Sequence, residues 1–282
     1  MVGLKHEQLE QLINLASALH NKKRESAETQ KVRIINKGGG RKVKLSTEEQ
    51  IILTLIYLRH LTTFQLLGIQ FGVSESTAND TFNYWEPLLQ ELLPSSLLEQ
   101  VKKTTSDYEI VQALLTNYEL IVDSSEQSRE RPGEYREQKK YYSGKKKSHT
   151  FKNQIIVLPG GKDIVDVIAG EPGPKSDINL FRSAQKGFDM NQKFKGDKGY
   201  VGEQSINTPP KKPKKGELTP SQTETNKQLA SERIFVEHLI RVVKIFRVAS
   251  ERFRLNPRKY EQVIMTICGL VRFRIGTLVL PI

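Results

Sequence analysis

Apolar residues near the start of the chain recur at intervals of three and four positions, which places them on one face of a helix. We therefore predict an amphipathic helix within residues 1–30. Residues 31–45 mix basic side chains with three consecutive glycines, a composition typical of a linker. The apolar residues of the predicted helix face are Leu9, Leu12, Ile13, Ala16 and Leu19.

Residues 46–100 contain two helix-start signals separated by a glycine turn. Ser46 and Glu49 have the spacing of a capping box, in which each side chain binds a free amide at the helix start. Ser74 supplies a second N-cap shortly after Gly72. This order predicts a helix-turn-helix DNA-binding domain, although any three-helix unit with a glycine turn has the same spacing.

The last helix of this domain has two different faces. Ala78, Phe82 and Trp85 fall on one stripe, which predicts that they pack inward rather than stack on bases. The opposite face is predicted to reach base edges in DNA. Its candidate DNA-binding residues are Ser76, Asn79 and Asn83, beside Glu75.

From Tyr118 onward, short apolar runs alternate with turn residues, which predicts strands. The runs are YELIVDSS, FKNQIIVLPGG, KDIVDVIAGEPG and MNQKFKGDKGY. A long helix then carries ASERIFVEHLIRVVK, and residues 203–225 are predicted to form an exposed loop before it because Pro, Lys and Thr are frequent there. Residues 101–282 therefore predict one α/β domain, with a mixed sheet flanked by helices.

Composition narrows the function classes. The formal net charge of +12 and the pI of 9.6 favour a nucleic-acid partner, although charge alone is equally compatible with a merely basic soluble protein. Cys268 is the only cysteine, which excludes an internal disulfide and a cysteine-based zinc site. A polar start and two arginines in the apolar C-terminal stretch, Arg272 and Arg274, favour a cytoplasmic, nucleoid-associated protein with no membrane partner.

Three acidic residues occupy positions where an ionised side chain needs a partner. Asp123 ends the apolar run 120–122, Asp197 follows the fourth predicted strand, and Glu237 lies among apolar residues of the long helix. Taken singly, each is more often a turn or helix-face residue than a ligand. Together, three carboxylates from separate elements suit Mg²⁺ or Mn²⁺, and two such ions support phosphodiester cleavage and strand transfer.

Five segments resemble the DDE-type transposases of the IS-five group and the related Harbinger-like DDE endonucleases. They are GGGR with KVKLS, LIVDSSEQ, GKKKSHTFKNQIIV, KGDKGY and RIFVEHLIRVVK, in this order. Within the last segment, Arg233, Glu237 and Lys244 reproduce the family's Arg, Glu, Lys signature. Ala230 departs from the family, which usually has a tyrosine three residues before the arginine.

The resemblance implies an RNase H-like fold in which Asp123, Asp197 and Glu237 are the catalytic and metal-binding residues. It also implies an enzyme that recognises terminal inverted repeats in double-stranded DNA, cleaves at their ends and joins them to target DNA. An inactive or domesticated DNA-binding relative and an endonuclease without strand transfer are left open, as is a homo-oligomer on DNA.

Basic residues near these acids are further candidates for contact with DNA. With the resemblance, Arg233 and Lys244 are expected to hold phosphate beside the metals, rather than to form an ordinary exposed ion-pair face. A positive segment before the second predicted strand is expected to follow the DNA backbone. Its candidate residues are Lys145, Lys146, Lys147, His149 and Lys152.

Overall fold

The computed structural model describes residues 2–29, 43–102, 108–210 and 217–278. Most of the predicted basic linker, including Arg41 and Lys42, lies outside the described residues. The α-helices of the described ranges are α1 His6–Thr29, α2 Thr47–His60, α3 Phe64–Phe71, α4 Glu75–Leu92, α5 Leu97–Lys102, α6 Tyr108–Leu115, α7 Tyr135–Tyr141, α8 Asp177–Gln185, α9 Pro220–Lys244 and α10 Tyr260–Ile275.

Helices α2, α3 and α4 form the predicted helix-turn-helix. The Glu49 amide donates to Ser46 Oγ at 3.2 Å and the Ser46 amide donates to Glu49 Oε2 at 2.7 Å, so the predicted capping box is present. Helix α3 ends at Gly72, whose φ of 66° lies in the left-handed region that favours glycine. Ser74 then caps α4. The predicted inward residues Ala78, Phe82 and Trp85 are fully buried.

The strands form one mixed sheet of order β4-β3-β1-β5-β6 in the described residues, with β2 pairing the start of β3. Strand β3 is antiparallel to both β1 and β4, whereas β5 runs parallel to β1 and β6 runs parallel to β5. This order and these directions are those of an RNase H-like sheet, which confirms the predicted fold class. The strands are β1 Glu119–Ser128, β2 Tyr142–Ser143, β3 Ser148–Val157, β4 Ile164–Pro172, β5 Lys193–Lys195 and β6 Ile206–Asn207.

Both faces of the sheet are covered because side chains alternate along its central strands. On β1, Leu120 and Val122 face a cluster formed with α8, whereas Ile121 faces the larger core that contains α9 and α10. On β3, Ile156 joins the first cluster and Ile155 joins the second. Burial on both sides explains why these strands appear in the sequence as continuous apolar runs.

The helix-turn-helix and the α/β region share one hydrophobic core rather than forming two separate cores. Helix α4 continues through Pro87 to Leu92, and its second half packs against α10. Next to the proline, the buried Glu86 accepts a hydrogen bond from Thr266 Oγ1 of α10 at 2.8 Å. The end of the DNA-binding unit is therefore held directly by the α/β region.

Helix α10 carries the fully buried Arg272. Its guanidinium binds both carboxylate oxygens of Asp163, at 2.7 and 2.8 Å, and also donates to the Pro94 carbonyl and to Gln100 Oε1. This arginine therefore ties α10 to the start of β4 and to the segment after α4. Across the described parts of the chain, we find no helix with the length and apolarity that crossing a membrane requires.

The prediction of an exposed loop over residues 203–225 is wrong at both ends of that range. Ile206 is buried in β6, so the sheet extends beyond residue 203. Helix α9 begins at Pro220 because Thr219 and Gln222 form a capping box and proline suits the first helical turn. The lysine-rich residues 211–216 lie outside the described residues.

Candidate active site

The sheet places Asp123 and Asp197 at corresponding positions on neighbouring strands. Ile121 of β1 pairs with Lys195 of β5 in parallel register, and each aspartate lies two residues further along its chain. Two residues restore the same face of a strand, and neighbouring strands are about 4.8 Å apart. Since β1 and β5 run in the same direction, both carboxylates emerge at the same edge of the sheet.

The environment of Asp123 shows that the third acid also lies nearby. Burial raises the pKa of Asp123 to about 6, against the opposing effects of the Ser124 amide, which donates to Oδ1 at 2.9 Å, and of Arg233. The negative charges of Asp197 and Glu237 raise this pKa further. Both of the other predicted acids therefore act electrostatically on Asp123.

A raised pKa does not by itself identify this site. Burial also raises the pKa of Asp166 on β4 to about 6, yet the charge that acts on Asp166 is Lys102 and no acid contributes. Asp123 differs because the charges of two further carboxylates and of an arginine act on it.

Asp197 is oriented by the backbone that follows it. Its Oδ1 accepts a hydrogen bond from the Gly199 amide at 2.7 Å and so caps the short 3₁₀ turn Lys198–Tyr200. A Cβ on Gly199 would lie 2.8 Å from Asp197 Oδ1 and 2.9 Å from Asp177 Oδ2. The two carboxylates leave no room for a side chain at position 199, and Asp177 is a fourth acid, close to Asp197.

The fully buried Tyr200 connects the Asp197 turn to the central strands. Its hydroxyl lies 2.8 Å from Ser124 Oγ, next to Asp123, and accepts from Gln154 Nε2 of β3 at 3.1 Å. This network holds the turn at a fixed distance from β1.

Glu237 projects from α9 into a half-open position, with 55% of its side chain exposed. Its Oε1 lies 3.5 Å from Arg233 Nη2, one helical turn earlier. The Arg233 side chain is mostly buried, and its Nε has no hydrogen-bond partner among the described residues. The signature residues Arg233 and Glu237 are therefore adjacent, and this arginine keeps an unused donor.

Helix α9 is anchored to the sheet by a cluster of charges and by apolar burial. Lys195 of β5 pairs with Glu119 of β1 at 3.0 Å and also with Glu232 of α9. Val236 and Leu239, on either side of Glu237, are buried in the core. Because Lys195 precedes Asp197 by two residues and Glu232 precedes Glu237 by five, this cluster fixes the helix relative to the strand that carries the second acid.

The donor set of the site fits a hard divalent cation, since all three predicted ligands are carboxylates. Within the described ranges, no three His, Cys, Asp or Glu side chains are already close enough together to hold a metal ion. The Glu237 carboxylate lies beside Arg233 in this structure.

A polar pocket of about 230 Å³ opens beside Asp123, and we name it the lysine pocket. Partial burial lowers the pKa of Lys244, and the nearby Lys146 lowers it further while Asp123 raises it. Lys244 therefore lies between the acidic site and the basic turn that joins β2 to β3. The pocket is lined by Ser124, Ser125, Glu126, Lys145, Lys146, Lys152, Asp177 and Lys244.

The candidate DNA contacts of the basic segment fall into different environments. Lys145, Lys146 and Lys147 are exposed in the turn between β2 and β3. The expectation that Lys152 belongs to an exposed basic track is wrong, because its side chain is only 9% exposed and binds Asp177 at 3.0 Å. Its position inside β3 explains the burial. His149 is half-buried, and its ring meets Tyr142 edge-on.

The predicted base-reading face of α4 is only partly free. Ser76 is exposed near the helix start, as expected. Asn83 Nδ2 donates to Asn79 Oδ1 at 2.7 Å, and Asn83 Oδ1 accepts from Lys259, so both amides already have protein partners. Lys259 belongs to a segment 176 positions further along the chain, which is why the helical pattern alone did not indicate this contact.

Four residues around the site were not predicted: Asp177, Lys195, Tyr200 and Gln154. Ser176 and Asp177 gave only a helix-start signal, and Lys195 resembled any exposed strand lysine. The local signal that was available is the run KGDKGY, in which Lys195, Gly199 and Tyr200 surround Asp197. Their contacts form only when the sheet brings distant segments together.

Comparison with known proteins agrees with this geometry. Residues 122–272 match the family described as DDE superfamily endonuclease, and residues 43–95 match the helix-turn-helix of DDE superfamily endonuclease. The chain is 31% identical over 243 residues to a probable transposase for insertion sequence element IS702 from Microchaete diplosiphon, a match that covers 84% of each protein.

Solved structures are more distant. A piggyBac transposase synaptic complex with hairpin DNA is 10% identical, with a TM-score of 0.42 and coverage of 96% of this chain and 73% of that chain. A Mos1 transposase paired-end complex is 9% identical, with a TM-score of 0.20 and coverage of 83% and 88%. Both scores are too low to support a conclusion about this chain.

Proposed function

The chain belongs to the DDE superfamily endonuclease family, and from this premise we propose that it is a DNA transposase. In this proposal it cleaves phosphodiester bonds at the terminal inverted repeats of a mobile element and joins the ends to double-stranded target DNA. Its place of action is then nucleoid DNA in the cytoplasm. The observation that carries the proposal is the electrostatic effect of Asp197 and Glu237 on the half-buried Asp123.

The family implies dependence on a divalent metal. We propose that Asp123, Asp197 and Glu237 hold Mg²⁺ or Mn²⁺, with two ions as the expected number. When bound, the metal supplies activation of the attacking oxygen and stabilisation of the leaving oxygen. The raised pKa of Asp123 supports this role, because a half-buried carboxylate with two acidic neighbours is stabilised by a nearby cation.

Basic residues around the acids are proposed to hold the DNA. Arg233 combines a buried, unpartnered Nε with a position beside both Asp123 and Glu237, so it is suited to a phosphate oxygen at the reacting bond. Lys244, Lys145 and Lys146 line the lysine pocket and are proposed to bind a neighbouring phosphate. Lys152 orients the wall of that pocket through Asp177.

Outer contacts complete the proposed interface. Lys147 lies in the turn before β3, and His149 lies two residues later, at the start of that strand. Both are proposed to contact the DNA backbone further from the reacting bond. Ser76 is proposed as a helix-turn-helix contact, and Asn79 and Asn83 join it once DNA displaces their mutual hydrogen bond. A homo-oligomer on DNA is compatible with two element ends being joined together.

The proposal is tested by incubating purified protein with labelled duplex that carries the element's ends, in Mg²⁺, in Mn²⁺ or in chelator. We expect metal-dependent cleavage followed by joining, whereas Asp197→Asn binds the duplex without cutting it. Asp189→Asn is the matched control, because Asp189 is an exposed turn aspartate away from the site. It should cleave like the wild type.

Other outcomes separate the alternatives. Cleavage without joining identifies a nuclease of the same fold. Salt-sensitive binding with no metal-dependent cleavage in any condition contradicts the proposed enzyme and leaves a DNA-binding relative.

A further inference from the structure

A second groove, of about 390 Å³, lies at the far end of β1 and outside the acidic site. From Asp123, β1 continues to its end at Ser128, a length of about 17 Å at roughly 3.3 Å per residue. The chain then reaches the groove. We name it the tyrosine groove. It is lined by Arg131, Tyr135, Gln138, Lys139, Tyr142 and His149.

Two aromatic rings of this groove are unusually open to solvent. Tyr135 is 78% exposed and Tyr142 is 44% exposed. The His149 ring contacts Tyr142 with a centroid separation of 5.5 Å. Partial burial lowers the pKa of His149, and Arg131 and Arg129 lower it further. The groove thus presents aromatic faces at the surface.

The other described lining residues are cationic or amide side chains, and none of them is a carboxylate. Arg131 Nη2 donates to Gln138 Oε1 at 2.9 Å, which orients its guanidinium over the groove. Lys139 adds a second positive charge. Aromatic faces interleaved with cations form the surface that single-stranded nucleic acid prefers, because bases stack on rings while phosphates pair with the cations.

The chain next to the groove is held by side-chain contacts. The Arg129 guanidinium lies 4.1 Å from the Tyr141 ring centroid and 4.5 Å from that of Phe151, so it is held between two aromatic rings. The Arg129 amide also donates to the carbonyl of His149, which lines the groove, at 2.9 Å. Since Tyr141 is the last residue of α7, these contacts support the helix that carries the exposed Tyr135.

We propose that the tyrosine groove binds unpaired bases of a DNA strand, with bases stacking on Tyr135 and Tyr142 and phosphates pairing with Arg131 and Lys139. This inference rests on the proposed function, since the DNA is the strand that passes the acidic site and the Lys145–Lys147 turn before reaching the groove. Its role is to hold a single-stranded segment next to the reacting duplex.

The test measures binding in chelator, so that cleavage plays no part. The probe is a duplex with a short single-stranded extension that contains 2-aminopurine, whose fluorescence falls when the base stacks, and a blunt duplex serves for comparison. We expect Tyr135→Ala and Tyr142→Ala each to weaken binding of the extended probe roughly tenfold and to abolish the fluorescence change. Tyr135→Phe and Tyr142→Phe keep a ring and should bind like the wild type.

Tyr118→Ala is the matched control, because Tyr118 is 53% exposed and does not line the groove. Unchanged fluorescence and affinity in both alanine variants overturn the proposal, and so does an equal loss of affinity for the blunt duplex. If the wild type stacks the probe but never cleaves DNA with metal, the groove assignment stands and the proposed enzyme fails.

Discussion

An arginine lies near carboxylates at two places in this protein, and the two places differ in how completely the charges are balanced. Asp163 and Arg272 are joined by two hydrogen bonds of 2.7 and 2.8 Å, and Thr277, Gln100 and the Pro94 carbonyl complete the set of partners. Every charge there is compensated within the protein, so the pair is structural.

At the acidic site, Arg233 compensates the charges of Asp123 and Glu237 only in part. Asp123 keeps a pKa raised to about 6 although Arg233 lies nearby, and Arg233 Nε has no partner in the described part of the chain. Glu237 shares the same arginine at 3.5 Å. The contrast shows that a surplus of negative charge, rather than burial of charge itself, marks the place where a cation and a phosphate are expected.

The largest expected effect tests the structural pair. Arg272→Met leaves Asp163 buried without its cation, so we expect the free energy of unfolding to fall by about 3–5 kcal/mol. Urea denaturation followed by circular dichroism measures this change. Arg233→Met is the counterpart at the acidic site, and it should lower stability by less than about 1 kcal/mol while abolishing cleavage. Equal losses of stability in the two variants would remove the distinction between the pairs.

The next effect tests how closely the acidic site is packed. In Gly199→Ala the new Cβ has to displace the carboxylates of Asp197 and Asp177, which lie 2.8 and 2.9 Å from its position. We expect cleavage to slow about a hundredfold, as is typical when a reacting group is displaced by about 1 Å, with stability changed by about 1 kcal/mol or less. Gly133→Ala is the control, since a Cβ at Gly133 meets nothing within 4 Å. Full activity in Gly199→Ala would contradict the required geometry.

The smallest effect tests the anchor of α9. Lys195→Met breaks the ion pairs with Glu119 and Glu232 that hold the helix against β5. We expect single-turnover cleavage to slow about tenfold, with DNA affinity unchanged, because Glu237 is then less well positioned. The matched control is Lys227→Met, which removes an exposed ion pair with Glu224 on the same helix. A rate loss of the same size in both variants would show that the anchor has no particular role.

Local patterns were sufficient to predict much of this architecture. The burial of β1 and β3 on both sides follows from their continuous apolar runs. The caps at Ser46 and Ser74 were correctly located because a cap depends on a few adjacent residues. The start of α9 was missed although Thr219 and Gln222 carry the same kind of signal. There the surrounding lysine and proline residues masked a short capping motif.

Contacts between distant segments were beyond such patterns. Lys152 was expected at the surface, but Asp177 lies 25 positions away and becomes its partner only through the packing of α8 on the sheet. The same holds for Asn83 with Lys259 and for Arg272 with Asp163. The three acids were identified from their motifs, whereas the effect of Asp197 on Asp123 depends on the parallel register of β1 and β5.

Direct measurement of Mn²⁺ binding by electron paramagnetic resonance tests the central claim that three carboxylates form a cation site. We expect the wild type to bind Mn²⁺ in competition with Mg²⁺, and Asp123→Asn to bind about tenfold more weakly or worse. Asp166→Asn is the control, because Asp166 is a half-buried acid whose pKa is also raised to about 6 and which has no acidic neighbour acting on it. Equal Mn²⁺ affinity in the wild type and in Asp123→Asn would contradict the account.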